Sequence, residues 1–143
     1  MILEDKIGYN FSNKKILNQA LTLPATAKEM HDKGQECKSQ ECLSLLGDGL
    51  LKGILVERLL SRYENVNDVS DRRAVLESNE KLPDLARDWG LKVTIESYNK
   101  SQGDVSPNQI ADTIEALIGA VYRDGGYEKV KMITNLWYDN QSL

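Results

Sequence analysis

The sequence contains few of the side chains from which many enzyme sites are built. Among 143 residues there is one histidine and there are two cysteines. The single histidine, His31, excludes a metal site built from several histidines and argues against a serine–histidine–aspartate triad. Cys37 and Cys42 are five residues apart and do not form a disulfide framework, so we expect free thiols in a reducing compartment.

A membrane span, a signal peptide and a basic excess are absent as well. No segment reaches the roughly 18 uncharged apolar residues of a membrane helix. The first ten residues are acidic and lack a signal-peptide pattern, so we expect a cytoplasmic protein. The net charge is −4, although a nucleic-acid-binding protein is expected to present a basic surface. A local basic strip is compatible with that total if part of the negative charge lies in a metal site.

The length of 143 residues predicts one domain, spanning 1–143, with a hydrophobic core. Its central feature is the segment 41–60, which is rich in leucine and has no proline, so that we predict a helix. Because the segment is apolar nearly all round, we expect it to be buried. Asp48 lies within it, and Glu41 lies seven residues earlier on the same face. A buried carboxylate requires compensation.

A second apolar segment, 112–122, also carries acidic residues. Asp112 and Glu115 are three residues apart and project from one side of a helix. Two buried helices that each bring acids to one face predict a shared site. Several carboxylates at close range repel one another unless a cation neutralises them, and such hard oxygen ligands suit magnesium or manganese.

The remaining pattern is helical, which predicts an all-α fold. We interpret 24–40 and 92–106 as loops, and Ser12 and Ser70 as N-caps of the helices that follow them. The predicted helices span 14–23, 41–60, 71–79, 81–89, 107–123 and 127–139.

Arg72 and Arg73 fall in the first turn of the predicted helix 71–79. A cation is unfavourable near a helix N-terminus, which favours an external anion at this place. Two interpretations remain open: the arginines contact RNA phosphates, or they are solvated surface residues.

Three segments resemble the ribonuclease III family. LLGDGLL (45–51) resembles the family's signature helix, and DTIEALIGAVYRDGGY (112–127) resembles its second acidic motif. RAVLESNEKLPDLARDWGL is similar to the helices that link them. The resemblance covers about residues 16–133. It implies an all-α, ribonuclease III-like endonuclease domain that forms a two-fold homodimer and lacks a double-stranded-RNA-binding domain.

The resemblance also implies roles for the acidic residues. Asp48, Asp112 and Glu115 would bind Mg²⁺, or Mn²⁺ in its place, and Glu41 matches a glutamate at the edge of the metal site. Asp48 and Glu115 would be catalytic, with Glu115 most closely tied to cleavage. The implied substrate is double-stranded RNA, with one site of the dimer for each strand.

Ser44 departs from the family motif, which has a glutamate ligand one turn before the aspartate that Asp48 matches. A serine offers a shorter, neutral oxygen and should weaken metal binding. Two functions are therefore considered. One is a Mg²⁺-dependent endoribonuclease, and the other is an inactive domain that binds RNA or pairs with another protein subunit.

Overall fold

The computed structural model describes residues 2–141, and within that range the regular secondary structure consists of helices alone, with no β-strand. The predicted all-α fold is thus confirmed. A 3₁₀ turn, Lys100–Gln102, precedes the eighth helix. The α-helices are α1 (Leu3–Ile7), α2 (Lys14–Ala20), α3 (Pro24–Asp32), α4 (Glu41–Leu60), α5 (Val66–Leu76), α6 (Lys81–Leu85), α7 (Leu91–Tyr98), α8 (Pro107–Gly125) and α9 (Tyr127–Asn140).

The two long helices α4 and α8 form the centre of the fold, and their mutual contact is the most extensive between any two helices described. Helix α8 is buried along most of its length, with Ile114, Leu117 and Ile118 completely inaccessible to solvent. Each such side chain contributes about 1.5–3 kcal/mol of burial free energy. Helices α2, α5, α6, α7 and α9 pack around this pair.

Two glycines permit the close crossing of α4 and α8. A Cβ atom at Gly47 would overlap the carbonyl oxygen of Glu115, and one at Gly119 would overlap the carbonyl oxygen of Leu43. Any larger residue at either position would therefore push the two backbones apart. The glycines set the distance between the helices that carry the acidic residues.

The prediction for α4 is correct in its bounds and only partly correct in its burial. Leu51, Ile54 and Leu55 face the core, whereas Leu45 is 75% exposed and Leu60 is 57% exposed. One face of the helix thus reaches the surface.

None of the helices in residues 2–141 is long and apolar enough to cross a membrane.

Helix α8 begins at Pro107, as predicted. Ser106 and Gln109 form a capping box, in which the Ser106 hydroxyl accepts from the Gln109 amide and the Gln109 side chain accepts from the Ser106 amide. This box satisfies two of the free amides at the helix start. Helix α9 also follows its prediction, and it buries Val130, Ile133 and Trp137.

Both predicted N-caps were wrong. Asn13 caps α2, because its side chain accepts a hydrogen bond from the amide of Lys15, while the amide of Ser12 donates to Asp124. Asn65, not Ser70, caps the next helix, so α5 begins at Val66. Asparagine is as good an N-cap as serine, and here it is the residue with extended backbone geometry.

Two predicted loops contain helices. Residues 24–40 begin with α3, which starts at Pro24, a favourable first helical position. Residues 92–106 include most of α7, which is anchored by Leu91 and Ile95, one turn apart and both buried. The predicted helix 81–89 ends early, at Leu85, and Gly90 takes a left-handed conformation (φ 66°) at the start of α7.

Candidate active site

The acidic site lies where α4 crosses α8. Asp48 follows Gly47 on α4, and Glu115 is the α8 residue whose carbonyl Gly47 approaches. The crossing brings the two carboxyl groups within hydrogen-bonding reach of each other. Two of the predicted site residues, from helices far apart in the chain, therefore meet as the sequence motifs predicted.

The pair shares a proton. Burial raises the pKa of Glu115 to about 8, and the hydrogen bond and charge of Asp48 act in the same direction. The hydrogen bond from Glu115 lowers the pKa of Asp48, and the ammonium of Lys52 lowers it further. Near neutral pH, Glu115 is thus the protonated partner and Asp48 the ionised one. Such opposed shifts are typical of functional sites.

Asp112 lies one turn before Glu115 at the exposed rim of the site. Partial desolvation raises the pKa of Asp112, and its negative charge contributes to the raised pKa of Glu115.

The buried side-chain amide of Gln40 fixes the start of α4. It donates to the carbonyl of Ala20 (2.7 Å) and to the hydroxyl of Thr113 (3.0 Å). This contact joins α2, α4 and α8 beside the carboxylates.

Lys52 and Glu77 also belong to the site, and the sequence interpretation missed both. The Lys52 Nζ atom lies 2.9 Å from Asp48 Oδ1 and 3.1 Å from Glu77 Oε1. The same Glu77 oxygen lies 2.5 Å from the Arg73 guanidinium. The other oxygen, Glu77 Oε2, is buried without a hydrogen-bond partner.

Glu77 is held in place by the end of α5. The buried Tyr138 hydroxyl, on α9, donates to the carbonyl of Leu76 at 2.8 Å. The i,i+4 spacing of Asp48 with Lys52 and of Arg73 with Glu77 was visible in the sequence. The packing of α5 against α4, which brings the two pairs together, could not be predicted from the sequence.

The two predicted RNA-binding arginines lie in different places. Arg73 belongs to the acidic site through Glu77, and it sits in the last turn of α5, where a cation is favourable. The argument from an unfavourable first turn was therefore wrong. Arg72 stacks over the ring of Tyr63 (4.2 Å to its centroid) and lines an open cleft with Arg62.

Glu41 and Ser44 precede Asp48 on α4. The Glu41 carboxylate accepts a hydrogen bond from the Ser39 hydroxyl at 3.1 Å. Ser44 is half-buried in α4, one turn before Asp48. Within residues 2–141, no three acidic, histidine or cysteine side chains lie close enough together to hold a metal ion. The four predicted metal ligands thus do not form one preassembled cluster, since Lys52 occupies one oxygen of Asp48 and Glu41 turns to Ser39.

The family model described as Ribonuclease-III-like matches residues 13–140. Ribonuclease 3 of Vibrio parahaemolyticus and that of Proteus mirabilis are each 33% identical to the chain. Each alignment has 144 positions and covers 97% of this chain. The chain spans about 60% of the length of these relatives.

Solved structures agree with this result. Two structures of the nuclease domain of ribonuclease III from Campylobacter jejuni superpose with TM-scores of 0.80 and 0.77, each at 26% identity. They cover 96% and 97% of this chain, and 94% and 92% of those chains. One of them concerns a flexible region involved in dimer formation of that domain. Its sequence motifs, its match to the family model and its all-helical fold together show that the chain belongs to the ribonuclease III family.

Proposed function

We propose that the protein is a Mg²⁺-dependent endoribonuclease that hydrolyses phosphodiester bonds of double-stranded RNA. The observation that carries this proposal is the pair of Asp48 and Glu115, two carboxyl groups that share a proton at the α4–α8 crossing. Partial burial of two carboxyl groups costs folding free energy, and groups with strongly shifted pKa values are concentrated at functional sites. Membership of a family of ribonucleases supports the reaction class.

The chemistry of the residues present fits a divalent cation, although within residues 2–141 no three of the acidic side chains are gathered closely enough to hold one before it binds. Asp48, Glu115 and Asp112 offer hard oxygen donors, and Glu77, which Lys52 links to Asp48, has a buried oxygen without a hydrogen-bond partner. Mg²⁺ prefers such carboxylates, and Mn²⁺ accepts the same ligands. The bound ion would supply an activated water and neutralise phosphate charge. Asp48 and Glu115 would hold the ion, with Asp112 at the rim.

The protein side chains would perform the rest of the reaction. Glu115, whose pKa is about 8, holds a proton near neutral pH in the metal-free chain, so it would release that proton on becoming a ligand of the ion. Lys52 and Arg73 bring positive charge to the same place and would attract a phosphate oxygen. The rigid crossing of α4 and α8 keeps these groups oriented.

Recognition of RNA would use shape and phosphate contacts. Arg72 and Arg62, with Tyr63, line an open cleft whose lining also includes Asp71 and Asp139 but neither carboxyl group of the acid pair. Arginines of this kind bind phosphates in a sequence-independent manner. Because the net charge is −4, one chain offers few such contacts, and a two-fold dimer would double them. We therefore propose a homodimer that binds one duplex, with one site for each strand.

The alternative is an inactive domain that binds RNA or a partner subunit. Ser44 favours it, since the family motif has a carboxylate there. The salt bridge of Lys52 to Asp48 also favours it, because the ammonium competes with a metal ion for that carboxylate. The acid pair with its shared proton favours the enzyme.

The test is cleavage of labelled double-stranded RNA by the wild type and by Glu115→Gln, with Mg²⁺, with Mn²⁺ and with EDTA. Glu57→Gln is a matched control, because Glu57 is a surface glutamate paired with Lys131. We expect cleavage that requires the metal, survives in Glu57→Gln and falls at least about a hundredfold in Glu115→Gln.

Single-stranded RNA and double-stranded DNA of the same sequence serve as substrate controls. Binding of double-stranded RNA without cleavage by any variant would support the alternative. Cleavage that persists in EDTA, or in Glu115→Gln, would contradict the proposed enzyme.

A further inference from the structure

We propose that the Lys52 ammonium is a built-in cation of the acidic site, which takes the place of a second divalent ion, so that each chain binds a single one. The inference rests on the proposed function, since it concerns the same site. Beyond that function, the inference states how many divalent ions each chain binds and names Lys52 as the residue that determines this number.

The first observation is the position of the ammonium. Lys52 Nζ bridges Asp48 of the acid pair and Glu77 of α5, at 2.9 and 3.1 Å. Glu77 is in turn bound by Arg73 at 2.5 Å, and its side chain is 12% exposed. A lysine held between two carboxylates, one of which is anchored from behind, has a defined position. Its side chain is 46% exposed, so the two ion pairs, and not burial, hold the ammonium there.

The second observation is the balance of charge. The site contains four carboxyl groups, those of Asp48, Glu77, Asp112 and Glu115, and two cationic groups, those of Lys52 and Arg73. An ion that binds would displace the proton of Glu115, and with every carboxyl group then ionised the net charge of these groups is −2, which one divalent ion balances. A second divalent ion would give the site a positive charge and would lie close to the ammonium.

The third observation is Ser44. It lies on α4 one turn before Asp48, where it offers a hydroxyl and not a carboxylate. The neutral serine and the cationic lysine, four residues on either side of Asp48, change the charge in the same direction. Each reduces the negative charge that a second ion would require.

Metal binding by the RNA-free chain tests this inference. Mn²⁺ would be titrated into the full chain, with the number of bound ions followed by electron paramagnetic resonance and calorimetry. The variants are Lys52→Gln, Lys52→Arg, and Lys52→Gln combined with Ser44→Glu. Lys92→Gln is the matched control. Lys92 lies on α7, away from α4, and it also bridges two carboxylates, those of Glu96 and Asp104.

We expect one Mn²⁺ per wild-type chain and per Lys92→Gln chain. Lys52→Gln should bind Mn²⁺ at least about tenfold more tightly, because the substitution removes the positive charge that lies beside the ligand Asp48. Lys52→Arg, which keeps the charge, should resemble the wild type and shows whether charge or shape is responsible. The double variant should bind two ions.

Two ions per wild-type chain would overturn the inference, and so would unchanged affinity in a folded Lys52→Gln protein. A changed affinity in Lys52→Arg equal to that in Lys52→Gln would overturn it as well. None of these results affects the proposed nuclease, which is tested by RNA cleavage in Glu115→Gln. Conversely, one bound ion with the expected Lys52 effect but no cleavage would support the inference and contradict the enzyme.

Discussion

Glu115 couples the stability of the protein to pH. Its pKa is about 8 in the fold and 4.5 when unperturbed, so the folded state keeps a proton that the unfolded chain releases between these values. Stability from this group is therefore complete at acidic pH and is lost as the pH rises towards 8. Asp48, whose pKa is lowered, acts only in more acidic solution, below its ordinary value of 3.8.

In EDTA, we expect the melting temperature of the wild type to fall by a few degrees from about pH 5 to about pH 8. Glu115→Gln, which cannot ionise, should lose most of this dependence and be the more stable protein at about pH 8. Thermal denaturation followed by circular dichroism measures both. Equal pH dependence in the two proteins would show that another group dominates.

The residues of the site differ in how far the sequence could predict them. Asp48, Asp112 and Glu115 stand in apolar helices, where a carboxylate is conspicuous, and two of them indeed meet. Lys52 could have been found from its i,i+4 spacing to Asp48. Glu77 could not, since only the packing of α5 against α4 brings it to Lys52. The metal-ligand roles themselves stay predictions.

At the scale of elements, Gly47 is the residue on which the α4–α8 crossing depends. We expect Gly47→Ala to destabilise the protein by about 1–3 kcal/mol, because the new methyl group would overlap the Glu115 carbonyl and separate the helices. Cleavage should fall as well, because Asp48 and Glu115 would move apart. Urea unfolding and the RNA assay measure the two effects.

Gly53→Ala is the control for this prediction. Gly53 lies on the same helix, is exposed, and has open space where a Cβ would be. Alanine should therefore stabilise α4 there by about 0.5–1 kcal/mol, since it is the better helix former. If Gly47→Ala behaved like Gly53→Ala, the close approach would not limit the crossing.

The success of helix prediction followed the number of core residues in each segment. The bounds of α4 agree with the prediction, and α8 and α9 begin where predicted, because their apolar residues recur over several turns. Helix α7 was missed because only two of its residues, Leu91 and Ile95, are buried. Helix α3 was missed because only Ala27 is buried, so that its sequence has no apolar residues recurring over several turns.

At the scale of the whole molecule, the exposed face of α4 is the feature that a lone chain does not explain. Leu45 is 75% exposed, although it lies in the central helix three residues before Asp48. Cys42 and Gly49 are exposed on the same face of α4, and a contiguous exposed apolar patch is typical of an interface. The homodimer proposed above would bury this face between the two chains.

Leu45→Ser tests the proposed dimer. In a two-fold interface each substitution occurs twice, so the lost burial of about 1.5–3 kcal/mol per leucine is doubled. We expect the dimer dissociation constant to rise at least about a hundredfold in sedimentation equilibrium. Val93→Ser, at a valine on α7 that is 71% exposed, should leave it unchanged. A Leu45→Ser protein as dimeric as the wild type would exclude this face, and cleavage by a Leu45→Ser monomer would show that one chain can act alone.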